Sequence, residues 1–299
     1  MRKSSRRRIK LWARHAARRA FTRPRLGRKK VICHFGFRKA GSTTVQAMLR
    51  ANSSLIQDHV GLVLRTTDPS TDDLRATGVA YTKGHDRTSL LDLKAAASDL
   101  AEAIGRLPQE AVILSDENVI GNKVMLDGRD IFAMAAEILP VLEDEWRGFD
   151  VSFVFYTRER QAWLRSCYSQ AVKWHRSTEI YEAYLAANGS CRSWQQGEAA
   201  LTASVRSPVH FVRMEDDLAG GGMLGRTLLD MAGVPAEVQS TMEPAAAQNQ
   251  SPTVQQLELM REINSLKLGW DTSHAVARII ERRRDLFADA APKLHSRAS

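Results

Sequence analysis

The sequence predicts an α/β protein with three layers: a mostly parallel sheet, helices on both of its faces, and a helix-rich C-terminal half. Three short apolar runs, 31–33, 111–114 and 151–156, support this prediction, because each has the length and composition of a buried strand. Each run is followed by a stretch in which apolar residues recur at helical spacing. Strands that alternate with helices favour parallel pairing, since a parallel neighbour requires a crossover connection.

In chain order, the first strand is followed by a glycine-containing loop and a helix over about 42–53. A short strand is predicted over 61–64, and the polar, turn-rich segment 66–86 is predicted to be a loop over the site. The apolar stripe over 88–106 predicts a helix before the second apolar run. The remaining predictions are a strand over 208–212, a loop over 234–250, and helices over 129–145, 160–175, 178–187, 192–205, 215–232, 252–265 and 272–288.

The segment 36–44 joins the first strand to its helix and predicts an anion site. Gly36 and Gly41 permit backbone angles and a close approach of a ligand that a Cβ would prevent. The first N–H groups of the following helix lack partners within that helix, and the helix dipole favours an anion there. Lys39 adds a positive charge and Arg38 offers a second one. The alternative is an ordinary strand-to-helix turn with solvated basic side chains.

The loop differs from that of nucleotide hydrolases, GxxxxGK followed by Ser or Thr, because Lys39 precedes Gly41. It resembles the 5′-phosphosulfate loop of sulfotransferases that use 3′-phosphoadenosine 5′-phosphosulfate (PAPS). The bacterial carbohydrate sulfotransferases are most similar, with a loop that often reads H-x-G-x-x-K-(T/A)-G-(S/T)-(S/T). The resemblance implies that PAPS is the co-substrate and that Lys39 is the catalytic residue that neutralises charge on the leaving phosphate. It also implies that the 5′-phosphate is bound by Arg38, Lys39, Ala40, Gly41, Ser42, Thr43 and Thr44.

A second pair of residues follows the third apolar run. Arg158 comes at the end of the strand 151–156, and Ser166 follows eight residues later in the next predicted helix. In PAPS-dependent sulfotransferases a strand-end Arg and a helix Ser at this spacing hold the 3′-phosphate, so the resemblance assigns that role to Arg158 and Ser166. A guanidinium fork and a hydroxyl donor match a dianionic phosphate. The alternative is a surface ion pair of Arg158 with Glu159 or Asp116.

An acceptor hydroxyl requires a general base. Some glycan sulfotransferases carry a Glu on the helix after the loop, but this sequence has Gln46-Ala47 there. Glu117, in the Ser-x-Glu pattern that bacterial members commonly show at a strand end, is the first candidate, because open α/β sheets place their sites at the carboxyl ends of strands. His85, in the segment predicted as a loop, is the second. The alternatives are a helix cap for Glu117 and a solvated side chain for His85.

The net charge of +9 is concentrated in residues 1–30, which hold 14 of the 43 Lys and Arg residues and no Asp or Glu. The rest of the chain holds 29 basic and 34 acidic residues and carries −5. The pI of about 9.7 therefore describes the tail and gives no support for nucleic-acid binding by the body of the protein. The sequence predicts a basic tail over 1–30 and one sulfotransferase-like α/β domain over 31–299.

Apolar residues, including Trp12, recur on one helical face of the tail, and arginines surround them. This pattern predicts a basic amphipathic helix over residues 1–23 that binds an anionic membrane surface. A disordered, solvated tail is the alternative, and a nucleic-acid arm ranks last. The chain has no apolar run of 18 residues, so no transmembrane helix is expected, and the basic N-terminal residues lack the apolar segment that a secretory signal requires. We expect a cytoplasmic protein, held at the inner face of the membrane if the tail binds there.

The leading hypothesis is transfer of a sulfuryl group from PAPS to a hydroxyl or amine of a carbohydrate or other polar acceptor. Such a reaction depends on positioning and charge stabilisation, by analogy with phosphoryl transfer, and no metal is predicted. One rival is a P-loop kinase or NTPase with Asp116 as a Mg²⁺ ligand, although Ser42 stands where its Lys is required. The other rival is a non-enzymatic protein that binds membrane surfaces through its tail.

Overall fold

The computed structural model describes residues 28–65, 69–219, 222–245 and 252–287. These residues pack as two compact units, one of residues 28–158 and 191–245, the other of residues 159–190 and 252–287. The helix predicted over residues 1–23 lies outside the described residues. Within the described ranges, no helix is both long enough and apolar enough to cross a bilayer. The domain boundaries predicted from the sequence stay a prediction.

The strands are β1 (Lys30–His34), β2 (Val60–Leu64), β3 (Ala111–Ser115), β4 (Met125–Leu126), β5 (Arg129–Asp130), β6 (Asp150–Thr157) and β7 (Val209–Arg213). Five of them form one sheet in the order β2-β3-β1-β6-β7, and every pair in it is parallel. The strands β4 and β5 form a separate antiparallel pair. The predicted α/β class, with a parallel sheet flanked by helices, is confirmed.

The helices are α1 (Ser42–Ala51), α2 (Ser53–Ile56), α3 (Pro69–Gly84), α4 (Arg87–Arg106), α5 (Ile131–Glu145), α6 (Arg160–His175), α7 (Tyr181–Asn188), α8 (Trp194–Ser204), α9 (Met214–Ala219), α10 (Arg226–Ala232), α11 (Ala236–Ser240), α12 (Val254–Ser265) and α13 (Trp270–Arg282). A 3-10 turn, Arg284–Phe287, follows α13. The residues of β1 and β3 are mostly apolar, and all but the first residue of β1 are buried, as expected for strands covered on both faces.

The prediction of a loop over 66–86 is wrong, because residues 69–84 form the helix α3. Pro69 occupies its first position, where a backbone N–H would have no partner within the helix, so proline is tolerated there. Gly84 is its last residue. Its buried stripe contains Thr71, Leu74, Gly78 and Thr82, which have helical spacing but little apolar character. The apolar periodicity that reveals other helices is therefore weak here.

Two further boundaries differ from the predictions. The helix predicted over 215–232 is two helices, α9 and α10, and α10 begins after Gly225, whose φ of 106° is left-handed. The loop predicted over 234–250 contains the short helix α11, which begins directly after Pro235. Both differences arise at glycine or proline, where the backbone changes direction within a locally helical sequence.

The second unit is helical and has its own small core. Tyr168 and Val172 of α6 pack with Tyr184 of α7, Met260 of α12, and Ala277 and Ile280 of α13. Two buried amides strengthen the packing of these helices: Asn264 donates to the carbonyl of Val172 at 2.8 Å, and Gln256 donates to the carbonyl of Ile280 at 2.6 Å. Ser166 lies on α6 and is buried.

Candidate functional site

The loop between β1 and α1 is anchored in the core by aromatic side chains. Phe35 and Phe37 are fully buried. The N–H of Phe35 donates to the carbonyl of Val154 on β6 at 3.1 Å. The ring of Phe37 stacks on Phe155 at a centroid distance of 5.2 Å and meets Phe132 edge-on at 5.0 Å. These contacts fix the start of the loop, so that the residues after Phe37 turn over a rigid base.

The turn itself uses two left-handed residues, Lys39 with φ 68° and Gly41 with φ 90°. A residue with a Cβ in this region is strained by about 1 kcal/mol, and such strain is often found at functional sites. Glycine is favoured at position 41 for two reasons. The left-handed backbone would strain any other residue, and a Cβ there would lie 2.6 Å from Cδ2 of Leu224. Strain at Lys39 and tight packing at Gly41 together shape the entry into α1.

The start of α1 leaves hydrogen-bond donors without partners. The carbonyl of Gly41 accepts from the N–H groups of Thr44 and Val45, at 2.9 and 3.0 Å. The N–H groups of Gly41, Ser42 and Thr43 have no hydrogen-bond partner among the residues that the structure describes. Oγ of Ser42 is buried and also lacks a partner there. These donors, together with the helix dipole, fit an oxyanion.

The two basic residues of the loop are placed differently. Arg38 donates through a guanidinium nitrogen to the carbonyl of Asn122 at 2.7 Å, which ties the loop to the segment after β3. Lys39 is partly exposed at the left-handed position. The side chain of Arg38 therefore holds the loop in place, in addition to any role in binding an anion. Lys39 is distinguished by its left-handed backbone conformation.

Glu117 follows β3 and is brought to α1. Its Oε2 accepts from Nε2 of Gln46 at 3.0 Å, and its Oε1 accepts from Arg65 at 2.8 Å and from Asn118 at 3.1 Å. Gln46 also donates to the carbonyl and to Oγ of Ser115, at 3.3 and 3.2 Å. The structure thus places the carboxylate of Glu117 against the helix that carries the anion loop, and Oε2 keeps a lone pair for another donor.

Asp116 points elsewhere and is fully buried. Its Oδ2 accepts from Arg75 of α3 at 2.9 Å, and its Oδ1 accepts from the N–H of Asn118 at 3.0 Å. Burial raises the pKa of Asp116 to about 6, although Arg75 and the Asn118 N–H act in the opposite direction. Both carboxylate oxygens have protein partners, which weakens the case for Asp116 as a Mg²⁺ ligand. Among the described residues, no group of three or more His, Cys, Asp or Glu side chains is placed to hold a metal ion.

His85 is not brought to these residues by its contacts. It follows α3 with φ 48°, stacks on Tyr81 at 5.2 Å, and its Nδ1 lies 3.4 Å from Glu137 and 3.5 Å from Arg129. Its side chain is half exposed. All of these partners belong to α3, β5 and α5, so nothing in its surroundings links His85 to the anion loop.

Arg158 directly follows β6, whose Val154 pairs with His34 at the end of β1. Arg158 therefore lies at the same edge of the sheet as the loop, and Trp194 fixes its backbone by donating Nε1–H to its carbonyl at 2.9 Å. Arg158 ends the first unit and Ser166 belongs to the second. A joint role for the two residues stays a prediction.

Asp217 is a buried residue that sequence reasoning missed. Its carboxylate accepts from Tyr156 at 2.6 Å, from the N–H of Gly225 at 2.6 Å, and from the N–H and Oγ1 of Thr227 at 3.0 and 2.7 Å. It thereby holds the segment that contains Leu224, the residue packed on Gly41. Asp217 follows two other acidic residues, Glu215 and Asp216, and is the only one of the three that is buried. The sequence alone does not show which of the three is buried.

A cavity of about 180 Å³ lies beside this segment and is lined by Met223, Arg226, Ala236, Gln239, Ser240, Met242 and Pro244. Its walls are tied to both ends of α1. Leu224 packs on Gly41, and Asn52 exchanges two hydrogen bonds of 2.9 Å with the backbone of Glu243. Oε1 of Gln239 is buried and lacks a partner among the described residues. The flexible thioethers of the cavity suit a flat heterocycle.

Arg65 is a second residue near the anion loop that sequence reasoning missed. Its position directly after β2, at the carboxyl edge of the sheet, could have identified it as a site residue. The loop, Glu117, Gln46 and Arg65 are thus gathered around the start of α1. Comparison of the chain with protein-family models, with curated proteins and with solved structures finds no match.

Proposed function

We propose that this protein is a sulfotransferase that moves a sulfuryl group from PAPS to a hydroxyl or amine of a carbohydrate or other polar acceptor. The observation that carries the proposal is the turn at residues 39–41: among the described residues, the N–H groups of Gly41, Ser42 and Thr43 and the buried hydroxyl of Ser42 lack partners, and Lys39 precedes them in the left-handed conformation. The position of that lysine, before Gly41, is the feature that resembles PAPS-dependent sulfotransferases.

In this reaction the bond between sulfur and the 5′-phosphate oxygen breaks, and a bond between sulfur and the acceptor oxygen or nitrogen forms. Lys39 neutralises the charge that develops on the departing phosphate, and the N–H groups of Gly41, Ser42 and Thr43 bind its other oxygens. The products are adenosine 3′,5′-bisphosphate and a sulfate ester, or a sulfamate where the acceptor is an amine. The role of the protein is to position both reactants and stabilise charge.

Glu117 removes the proton of the acceptor hydroxyl. The contact of Glu117 with Gln46 supports this role, because Gln46 belongs to α1, the helix that follows the anion loop. Arg65, Asn118 and Gln46 hold the carboxylate in one orientation. A base needs such a fixed position within hydrogen-bond reach of its proton.

The adenine base occupies the cavity lined by Met223, Gln239 and Met242, where the thioethers of the two methionines contact its flat faces. Filling the cavity with Met242→Trp should weaken binding of adenosine 3′,5′-bisphosphate and leave binding of inorganic pyrophosphate unchanged. Equal binding of the bisphosphate by both proteins would place the base elsewhere.

Calorimetric titration with adenosine 3′,5′-bisphosphate, AMP, ADP and ATP tests the class of the enzyme. We expect the bisphosphate to bind best, because the resemblance to PAPS-dependent sulfotransferases implies a contact of Arg158 with the 3′-phosphate. Arg158→Ala should weaken the bisphosphate by about 2 kcal/mol, the scale of a charged hydrogen bond, and should barely change AMP. The exposed Arg165 provides the matched control. Preference for ATP with Mg²⁺ would instead favour a kinase or NTPase.

Lys39→Ala should remove most of the turnover while leaving the fold intact. Loss of one electrostatic donor at a developing charge costs about 10²–10³ in rate. Release of adenosine 3′,5′-bisphosphate from PAPS in the presence of a mixture of glycan acceptors is the measurement, with circular dichroism to verify folding. Turnover near that of the wild type in a folded Lys39→Ala protein would contradict the assignment of the loop.

A further inference from the structure

Arg65 directly follows β2, and its side chain reaches the carboxylate of Glu117. Its Nη1 donates to Oε1 of Glu117 at 2.8 Å. Among the described residues, the guanidinium of Arg65 makes no other hydrogen bond, although such a group carries several N–H donors. The pair with Glu117 therefore leaves most of the hydrogen-bonding capacity of Arg65 unused.

The unused donors of Arg65 differ in how a ligand can reach them. Nε is buried and lacks a partner in the part of the chain that the structure describes. The side chain of Arg65 is nonetheless 38% exposed, whereas that of Glu117 is 10% exposed. An incoming group therefore meets the terminal nitrogens of Arg65 and not Nε. These nitrogens form a planar fork that matches two oxygens of a carboxylate or a sulfate.

The register of the sheet sets the order of the site from the anion loop to Arg65. Leu64, Ser115 and His34 are the last residues of β2, β3 and β1, and they lie in one row across the sheet. Arg65 follows this row by one residue and Glu117 follows it by two. Because β3 lies between β1 and β2, the strand end that carries Glu117 lies between the anion loop and Arg65. Each step from one strand to the next is about 4.8 Å.

We propose that Arg65 binds an anionic group of the acceptor, a carboxylate or a sulfate, and that the acceptor is therefore an acidic saccharide. The inference rests on the proposed function for the roles of the anion loop and of Glu117. A hydroxyl held at Glu117 then has the sulfuryl donor on one side and the guanidinium of Arg65 on the other. A separation of one strand spacing, about 5 Å, fits a hydroxyl and a charged group on the same sugar ring or on adjoining rings.

The charge of Arg65 provides the selectivity. An anionic sugar forms charge-assisted hydrogen bonds with the open fork, and these are stronger than bonds between neutral groups. A neutral sugar gains only the weaker kind. An arginine that served solely to orient Glu117 would not distinguish the two sugars, so this distinction separates a binding role from an orienting role.

Nuclear magnetic resonance of the full chain, labelled with ¹³C and ¹⁵N in arginine, tests the proposal. The probes are D-glucuronate and D-glucose 6-sulfate, and neutral D-glucose is the matched control, because the three sugars differ only at C6. The Nε–Cζ signal of Arg65 should shift with an anionic sugar and not with glucose. A shift with glucuronate alone identifies a carboxylate site, and a shift with the sulfate alone identifies a sulfate site. The signal of the exposed Arg50 should not move with any of them.

The variants Arg65→Lys and Arg65→Gln both identify the signal of Arg65 by its loss, and one folded variant is enough for the assignment. Arg65→Gln should bind the effective sugar roughly tenfold more weakly than the wild type, the scale of one hydrogen bond to a charged group. Arg50→Gln is the matched control and should bind it as the wild type does. Saturation-transfer spectra of the sugar measure these affinities without a signal from the arginine.

An Arg65 signal that neither anionic sugar moves, up to about 0.1 M, would overturn the proposal, since a millimolar site is saturated there. Equal binding by Arg65→Gln and the wild type, or an equal shift with glucose, would overturn it as well. No nucleotide is present in these titrations. If adenosine 3′,5′-bisphosphate binds while neither anionic sugar moves Arg65, this inference fails and the proposed function does not. If an anionic sugar moves Arg65 and the bisphosphate does not bind, the proposed function fails, and the anion-binding role of Arg65 is supported.

Discussion

At the scale of single residues, Asp217 shows how one buried carboxylate can hold a binding loop from a distance. It accepts hydrogen bonds from Tyr156 in the sheet and from Gly225 and Thr227 at the start of α10. Burial and the carboxylate of Asp217 together raise the pKa of Tyr156, so the phenol stays protonated and donates. The segment that it holds packs against Gly41, so Asp217 supports the loop without contact to a ligand.

Asp217→Ala should lower the free energy of unfolding by about 3 kcal/mol or more, because several buried donors lose their acceptor together. Asp216→Ala is the matched control, since Asp216 is exposed and its pair with Arg213 is long, at 3.9 Å. We expect that control to change stability by less than about 0.5 kcal/mol. Urea denaturation of the two variants measures the difference, and similar effects at both positions would contradict the anchoring role.

The pH dependence of stability should reveal Asp116. Its raised pKa means that the folded state holds a proton between about pH 4 and pH 6 that the unfolded state has released. Stability from this group is therefore present at low pH and lost as the pH rises through that window, by about 3 kcal/mol. The free energy of unfolding of the wild type should fall relative to that of Asp116→Asn from pH 4 to pH 6. A constant difference between the two proteins would show that Asp116 ionises normally.

At the scale of secondary-structure elements, α3 packs closer to the segment after β3 than a helix with a complete set of side chains could. A Cβ at Gly78 would lie 2.3 Å from the carbonyl oxygen of Val119. This close approach brings Arg75 within 2.9 Å of Asp116. The glycine that obscures the helix in the sequence is thus the residue that lets it dock.

Gly78→Ala should destabilise the protein, although alanine favours a helix by about 1 kcal/mol over glycine. The clash with a backbone atom outweighs that preference, and we expect a net loss of about 1–3 kcal/mol. Gly105→Ala in α4 is the control, because no described atom outside the adjacent helix backbone lies within 4 Å of a Cβ there, and it should be stabilising. Thermal unfolding compares the two. A stabilising Gly78→Ala would mean that α3 does not pack in this way.

The sequence predicted the strand–loop–helix unit and the helix α4, because their apolar residues repeat regularly. It failed at α3, whose buried stripe is small and polar. Within the site it placed Glu117 at a strand end, but the contact with Gln46 joins residues 71 positions apart, and the bond of Tyr156 to Asp217 spans 61. Such pairs depend on how elements pack, which local patterns do not encode.

At the scale of the whole molecule, the separation of charge between the tail and the body predicts two behaviours in one chain. Residues 1–30 are strongly basic, and the remainder carries −5. The full chain should sediment with vesicles of phosphatidylglycerol but not of phosphatidylcholine, and high salt should release it. A chain lacking residues 1–27 should lose this binding and keep its affinity for adenosine 3′,5′-bisphosphate. Equal sedimentation of both chains would indicate a disordered, solvated tail.

During synthesis on the ribosome, β1 emerges well before either of its neighbours in the sheet. It must wait for residues 111–115 to pair along one edge and for residues 150–157 to pair along the other. At about 5–20 residues per second, the apolar strand is unpaired for several seconds and open to aggregation or chaperone binding. Nascent chains stalled before residue 150 should therefore be cleaved by protease near β1, and chains stalled well beyond residue 213 should resist.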